Sequence, residues 1–205
     1  YLSCPQFTGT GLGYLSENLQ DLMTNSQTIT AEGLAYLPRF KKLKRLDLSS
    51  SAVTDDMLKG LAALSELEFL NVDSTKLDGS FLAYLPSNSK LKELVLYNLK
   101  NFKPENLALL SRLRDLEHLS LPPVNPGLAE MTAIASLSKL SRLDFRSPTF
   151  TGEAFKGAEG FSSLILLDLG DAPITDAGWQ AISALSSMEE LVFSRPAKSK
   201  APMTA

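Results

Sequence analysis

The sequence predicts an α/β fold, a right-handed solenoid whose parallel strands form a concave sheet and whose helices form the convex side. Three observations predict it. A motif of Leu, two variable residues, Leu, one variable residue and usually another apolar residue occurs eight times. Its copies recur at a nearly constant period in the twenties, which is typical of stacked repeat arrays. Each copy has a stretch of alternating hydrophobicity followed by a stretch with helical spacing.

The starting points of the motif define the predicted domain organisation. We expect one repeat array over residues 1–194, which opens with a partial repeat at 1–18, followed by a flexible tail at 195–205. Because Tyr1 already lies within a repeat, we interpret the chain as a fragment or a processed product. The eight units begin near Leu19, Leu43, Leu67, Leu91, Leu116, Leu140, Leu164 and Met188.

The unit at 43–66 illustrates how a strand and a helix are predicted in each repeat. Leu46 and Leu48 alternate with polar residues, which indicates a strand with one buried face. Thr54 is a natural helix N-cap, and acidic residues follow it. The apolar residues beyond Thr54 recur at helical spacing and predict a helix with a buried stripe: Leu58, Leu61, Ala62 and Leu64. Trp179 falls on the equivalent stripe of a later unit and is expected in the core.

Composition excludes several classes of protein. The 205-residue chain has a formal net charge of −3, so it has no basic surplus for binding nucleic acid. No apolar run approaches the roughly 20 residues that a membrane-spanning helix needs. The only cysteine, Cys4, cannot form an internal disulfide or a thiol-rich metal site, and nothing basic beside it would make it a nucleophile. Cysteine usage leaves the compartment undecided.

The repeat pattern resembles a known family. The segments 174–179, 29–34 and 53–58 carry an [IV]-T signature after the L-x-x-L-x-L motif. This pattern is similar to the bacterial 24-residue leucine-rich repeats, especially those of planctomycetes, and more distantly to the repeats of F-box proteins. The resemblance implies a binding scaffold and carries over no catalytic residue. It departs from the usual pattern where Ser51 and Thr75 replace the loop asparagine, so loop carbonyls there need other partners.

Outward-facing residues of successive strands are expected to stack in columns across the sheet. The first column alternates in charge and predicts a self-complementary ladder on the surface, made of Lys44, Glu68, Lys92 and Glu117. We expect this column to be structural and not to be the binding site.

Large apolar residues in the neighbouring columns predict a binding surface. Phe69, Val95 and Tyr97 should face solvent, where the fold itself gains little from them. Charged neighbours would form the rim of an interface; alternatively, the apolar side chains pack on one another or on a flanking segment. The residues predicted to bind a protein partner are Arg45, Phe69, Asn71, Glu93, Val95, Tyr97, His118, Arg142 and Arg146. A second apolar spot, at Ile165, Leu166 and Val192, is explained equally well by packing or by a partner.

Catalytic and metal chemistry are not favoured by the sequence. His118 shares a face with Ser120, and Asp144 is expected two strands away, but an open sheet offers no enclosed pocket for a Ser/His/Asp site. We therefore expect His118 to be a solvated surface residue. Asp144 and Asp168 could hold a cation, yet flanking arginines are the simpler partners. We expect no cofactor and no metal.

The resulting hypothesis is a non-catalytic protein–protein interaction scaffold that binds its partner on the concave sheet. Two alternatives stay open: the substrate-recognition segment of a larger enzyme complex or effector, as in F-box ubiquitin ligases, and a structural spacer. Because solenoid ends need polar caps, the apolar groups around Phe7 and Leu12 also predict end-to-end self-association.

Overall fold

The computed structural model describes residues 6–156 and 160–193, and the predicted α/β solenoid is confirmed. Its eight short parallel strands form one sheet in which the spatial order equals the chain order. Cys4 and the predicted tail at 195–205 lie outside the described residues. The strands are β1 (Asp21–Met23), β2 (Arg45–Asp47), β3 (Phe69–Asn71), β4 (Glu93–Val95), β5 (His118–Ser120), β6 (Arg142–Asp144), β7 (Leu166–Gly170) and β8 (Glu190–Phe193).

The strands pair in register, so equivalent residues of successive units stack directly. The central leucine of each strand pairs with the central leucine of the next, from Leu22 in β1 to Leu191 in β8. From Leu22 to Leu167 this column is buried. Because successive residues of a strand point to opposite faces, the residues on either side of each leucine face the concave surface.

Helical segments line the other side of the core, and most of them are 3₁₀ helices. The α-helices are α1 (Ala31–Leu34), α2 (Leu128–Ala135) and α3 (Asp176–Ile182). The 3₁₀ segments are η1 (Thr10–Tyr14), η2 (Leu37–Arg39), η3 (Asp55–Ala63), η4 (Ser80–Tyr84), η5 (Pro104–Arg112) and η6 (Glu153–Phe155).

The preference for 3₁₀ helices has a sequence correlate. Leu58, Leu61 and Leu64 are buried, and their spacing of three matches the three residues per turn of a 3₁₀ helix. Ala62, which an α-helical stripe would have buried, is exposed. Since a 3₁₀ helix rises about 2.0 Å per residue and an α-helix about 1.5 Å, fewer residues carry the chain back to the next strand.

Trp179 is not in the core, and this expectation was wrong. Its side chain is 40% exposed, whereas Leu34 at the equivalent position is buried. Helix α1, which contains Leu34, contacts η3 of the next repeat. The Trp179 ring lies against Phe193 of β8, with centroids 5.0 Å apart. No further described coil follows β8 to cover it.

Polar side chains satisfy the backbone of the turns in two ways. Ser51 and Thr75 donate hydrogen bonds to the carbonyls of Leu48 and Val72, and so replace the loop asparagine expected from the resemblance. Thr30 and Thr175 cap α1 and α3 by accepting from backbone N–H groups three residues on. Thr54 occupies the predicted N-cap position, at the start of η3, but its side chain makes no capping hydrogen bond.

Asp55, the residue after Thr54, connects its own unit to the next. Its carboxylate accepts hydrogen bonds from the backbone N–H groups of Asp78 (2.9 Å), Gly79 (3.2 Å) and Phe81 (2.9 Å). Gly79 has φ 97°, a left-handed conformation that favours glycine, at the start of η4. The carboxylate thus caps a helix in the following repeat.

Among the described residues, no helix has the length and apolar character needed to cross a bilayer.

We predict that Asp55→Ala lowers the free energy of unfolding by about 2–4 kcal/mol, because three partly buried N–H groups lose a charged acceptor. Urea unfolding followed by circular dichroism measures this. Asp56→Ala is the matched control: Asp56 pairs with Lys59 at the exposed surface, so its loss should leave the stability nearly unchanged. Equal losses for the two variants would contradict this role of Asp55.

Candidate functional site

The nine residues predicted to bind a partner all lie on the concave face of the sheet, within or just beyond strands β2 to β6. The first strand position holds Arg45, Phe69, Glu93, His118 and Arg142, which pair in that order across the sheet. Asn71 and Val95 occupy the third strand position of adjacent strands. Tyr97 and Arg146 come two residues after the ends of β4 and β6. The solenoid therefore brings residues from five repeats onto one surface.

The charge ladder beside this surface is confirmed for its first three members. The Glu68 carboxylate lies 3.6 Å from the Lys44 Nζ atom and 3.1 Å from that of Lys92. The hydrogen bond from Lys92 lowers the pKa of Glu68. Because these groups are solvent-exposed or half-exposed, the ladder contributes little to stability.

Both aromatic residues of the site are half-buried beneath arginines. The Arg45 guanidinium lies 4.1 Å from the centre of the Phe69 ring, and its Nε atom is 3.7 Å from an Asp21 carboxylate oxygen. The Arg146 guanidinium lies 5.8 Å from the centre of the Tyr97 ring. Burial, followed by the nearby Asp144 charge, raises the pKa of the Tyr97 phenol. Cation–π contacts of this kind hold flat apolar surfaces in a defined orientation.

His118 is not the solvated residue that the sequence suggested. Its side chain is 25% exposed and lies between two carboxylates. The Nδ1 atom is 3.3 Å from Glu93 Oε1, and the Nε2 atom is 2.8 Å from Asp144 Oδ2. Asp144 is on β6, which pairs directly with β5, and so stands one strand away and not two.

The contacts around His118 do not form a catalytic triad. Ser120 Oγ is 3.4 Å from His118 Nε2 and donates a hydrogen bond to Asp144 at 3.2 Å. Asp144 is ionised at neutral pH and can only accept, so Nε2 donates its proton to the carboxylate. The nitrogen nearest the serine is thus no base for the hydroxyl, which a serine nucleophile requires.

Two buried aspartates organise the arginines of the site. The side chains of Asp144 and Asp168 are 3% and 4% exposed. Asp144 accepts from Arg142 Nε at 3.0 Å, and Asp168 accepts from Arg146 Nε at 3.1 Å and from Arg146 Nη2. Burial raises the pKa of Asp144, but hydrogen bonds from His118 and Arg142 outweigh it and hold the pKa at about 2.

Sequence reasoning treated these aspartates as partners of the arginines, and the structure confirms the pairing but adds their burial. The signal lay in the third strand position, where other units also carry Asp or Asn. Asp47, Asn71 and Asp168 each accept a bond of 2.9 Å from the backbone N–H two residues on. Asp47 and Asn71 stay partly exposed, whereas Asp168 is buried.

The described part of the concave face has no cluster of side chains suited to a metal ion. In residues 6–156 and 160–193, no group of three or more His, Cys, Asp or Glu side chains is placed to hold a metal ion. A cleft of about 760 Å³ lies on the convex side between η6 and α3, with Phe155, Phe161 and Leu185 in its walls. Its two charged residues, Glu153 and Lys156, do not make a chemical site.

We predict that Asp144→Asn flattens the acid limb of the stability curve. The folded-state pKa of about 2 is below the ordinary 3.8, so ionised Asp144 stabilises the fold above about pH 4. This stabilisation, about 2 kcal/mol, is lost as the pH falls through about 2. Urea midpoints across this range measure it. The control is Asp115→Asn, because Asp115 is an exposed carboxylate paired with Lys139. Acid limbs of equal slope in the wild-type protein and in Asp144→Asn would contradict the prediction.

Comparison with known proteins gives two likenesses. No family model matches the chain. Over 106 residues it is 30% identical to Receptor-like protein 34 of Arabidopsis thaliana; this match covers 51% of the chain and 11% of the plant protein. The fold is similar to that of an internalin from Listeria monocytogenes, with a TM-score of 0.63 at 22% identity, over 86% of this chain and 54% of the internalin.

The chain thus spans about a tenth of the plant protein and about half of the internalin structure. Both likenesses agree with the in-register parallel sheet and its stacked leucines. The chain has the leucine-rich-repeat fold.

Proposed function

We propose that this protein is a non-catalytic interaction scaffold that binds a protein partner on its concave sheet. The predicted site residues would form the contact surface, with Phe69, Val95 and Tyr97 at its centre. The likeness to leucine-rich-repeat proteins supports a protein-interaction scaffold in general and a role that is typically non-enzymatic. The choice of the concave face and of these residues is our own inference.

The observation that carries the proposal is the placement of two aromatic side chains outside the core. Phe69 and Tyr97 lie on the face of the sheet opposite the leucine column, and each is half-buried under an arginine. A guanidinium above the ring restricts its motion, so a partner buries it with a smaller loss of conformational entropy than it would a free ring. Aromatic and arginine side chains are also the types enriched among the residues that dominate binding energy.

The arrangement around His118 supports a non-catalytic role. Two carboxylates flank its ring nitrogens, and the neighbouring serine donates to Asp144 and not to a free imidazole nitrogen. These contacts order the surface and leave no activated nucleophile. The same contacts hold Glu93 and Arg142 in place at the rim of the proposed interface.

We predict that a photo-reactive amino acid at position 69 or 97 crosslinks to the partner. The matched control is position 14, where Tyr14 is 94% exposed and lies in η1, outside the sheet. Once a crosslinked partner is identified, Phe69→Ala and Tyr97→Ala should each weaken its affinity about tenfold, the size typical of interface hot spots. Titration calorimetry measures the change.

Tyr14→Ala should leave that affinity unchanged. The proposal fails if the partner crosslinks equally at position 14, or if Phe69→Ala and Tyr97→Ala bind it as tightly as the wild-type protein does. Thermal unfolding of each variant separates a lost contact from a lost fold.

End-to-end self-association stays a prediction. Its contact surfaces would be the two ends of the array, because among residues 6–156 and 160–193 β1 and β8 each pair with a single strand. Sedimentation velocity over a range of protein concentrations tests it. A concentration-dependent sedimentation coefficient is the expected result, and a monomer throughout the range would overturn the prediction.

A further inference from the structure

We propose that Arg142 and Arg146 form a carboxylate-binding site that recognises aspartate or glutamate side chains of the protein partner. We call these two residues the arginine pair. The inference rests on the proposed function, since it assumes that the partner contacts the concave face, and it adds the chemistry by which part of that partner is selected.

Two buried carboxylates, those of Asp144 and Asp168, hold the arginine pair in place. Arg142 Nε lies 3.0 Å and 3.3 Å from the two carboxylate oxygens of Asp144, and Arg146 donates from Nε and Nη2 to one oxygen of Asp168. The carboxylates are 3% and 4% exposed, whereas the arginine side chains are 44% and 49% exposed. A partner therefore meets the cations and not the anions beneath them.

Several guanidinium donors remain available. Within residues 6–156 and 160–193, three guanidinium nitrogens have no hydrogen-bond partner: both Nη atoms of Arg142 and the Nη1 atom of Arg146. A guanidinium binds a carboxylate best through two parallel N–H donors. Because the buried aspartates already fix both side chains, binding costs less side-chain entropy than it would with mobile surface arginines.

The two arginines share one electrostatic environment. A hydrogen bond to Asp144 raises the pKa of Arg142, and one to Asp168 raises the pKa of Arg146. The charges of Asp144 and Asp168 and the phenol of Tyr97 act on both guanidinium groups. The half-buried Tyr97 ring beneath Arg146 supplies an apolar wall, which strengthens a charged hydrogen bond by excluding water.

The charge balance favours carboxylates over phosphates or nucleic acid. Each arginine is already neutralised by one buried aspartate, and the whole chain has a net charge of −3. The long-range field that attracts polyanions is therefore weak. Short-range bidentate contact with a singly charged group does not need that field. Glu93, beside His118 and 38% exposed, would repel an acid on the β4 side and so direct it toward Arg142 and Arg146.

The test uses the full chain and three short, fluorescein-labelled glycine–serine peptides of one length. They carry two glutamates, two glutamines or two phosphoserines at the same positions. Fluorescence anisotropy should show the glutamate peptide binding about fivefold or more tightly than the glutamine peptide. In ¹⁵N NMR spectra, the Nε–Hε signals of Arg142 and Arg146 should shift with the glutamate peptide.

The double variant Arg142→Gln/Arg146→Gln should remove this preference, and Arg142→Lys/Arg146→Lys should retain only part of it. The matched control is Arg114→Gln, because the exposed Arg114 side chain has no hydrogen bond or ion pair with any other described residue. It removes one positive charge outside the arginine pair, where the double variant removes two, and should have no effect. Circular dichroism and thermal unfolding verify that every variant is folded.

Three results would overturn the inference: equal binding of the glutamate and glutamine peptides, an equal loss in Arg114→Gln, or tight binding of the phosphoserine peptide alone. Signal shifts on the concave face without a charge preference would refute acid recognition and leave the scaffold proposal standing. Partner binding unaffected by Phe69→Ala and Tyr97→Ala would instead refute the scaffold proposal.

Discussion

In-register pairing of the parallel strands is the constraint on which the rest of the molecule depends. Since each strand is offset from the next by one hydrogen-bonded step of about 4.8 Å, every position in one unit lies against the same position in its neighbours. The inward position then forms the continuous column from Leu22 to Leu167. Any residue type repeated at an outward position becomes a column on the concave face, whether or not the fold needs it.

The outward columns differ in what they contribute. One column alternates in charge, and its side chains form solvent-exposed ion pairs with one another: Lys44, Glu68 and Lys92. At the third strand position, aspartates and asparagines turn back to cap their own strand ends. Asp168, one of these caps, also supports the surface cation of Arg146, and the buried carboxylate of Asp144 supports that of Arg142.

This support connects stability with the proposed binding. A surface arginine is normally mobile and loses entropy when it is ordered by a partner. Asp144 receives hydrogen bonds from His118, Ser120 and Arg142 at once, so the three side chains are ordered before any partner arrives. The same contacts that lower the pKa of Asp144 to about 2 thus fix the surface that a partner would meet.

The repeat motif by itself determined the architecture, because a leucine at every equivalent position can be buried in only one kind of stack. It also determined which residues share the concave face, since strand residues alternate between two faces. The sequence did not reveal the exposure and the contacts of each side chain. Trp179 is exposed because no described coil covers it, and His118 is enclosed because Asp144 is on the adjacent strand. Contacts between repeats depend on sheet register and on side-chain reach, and only the tertiary structure decides these.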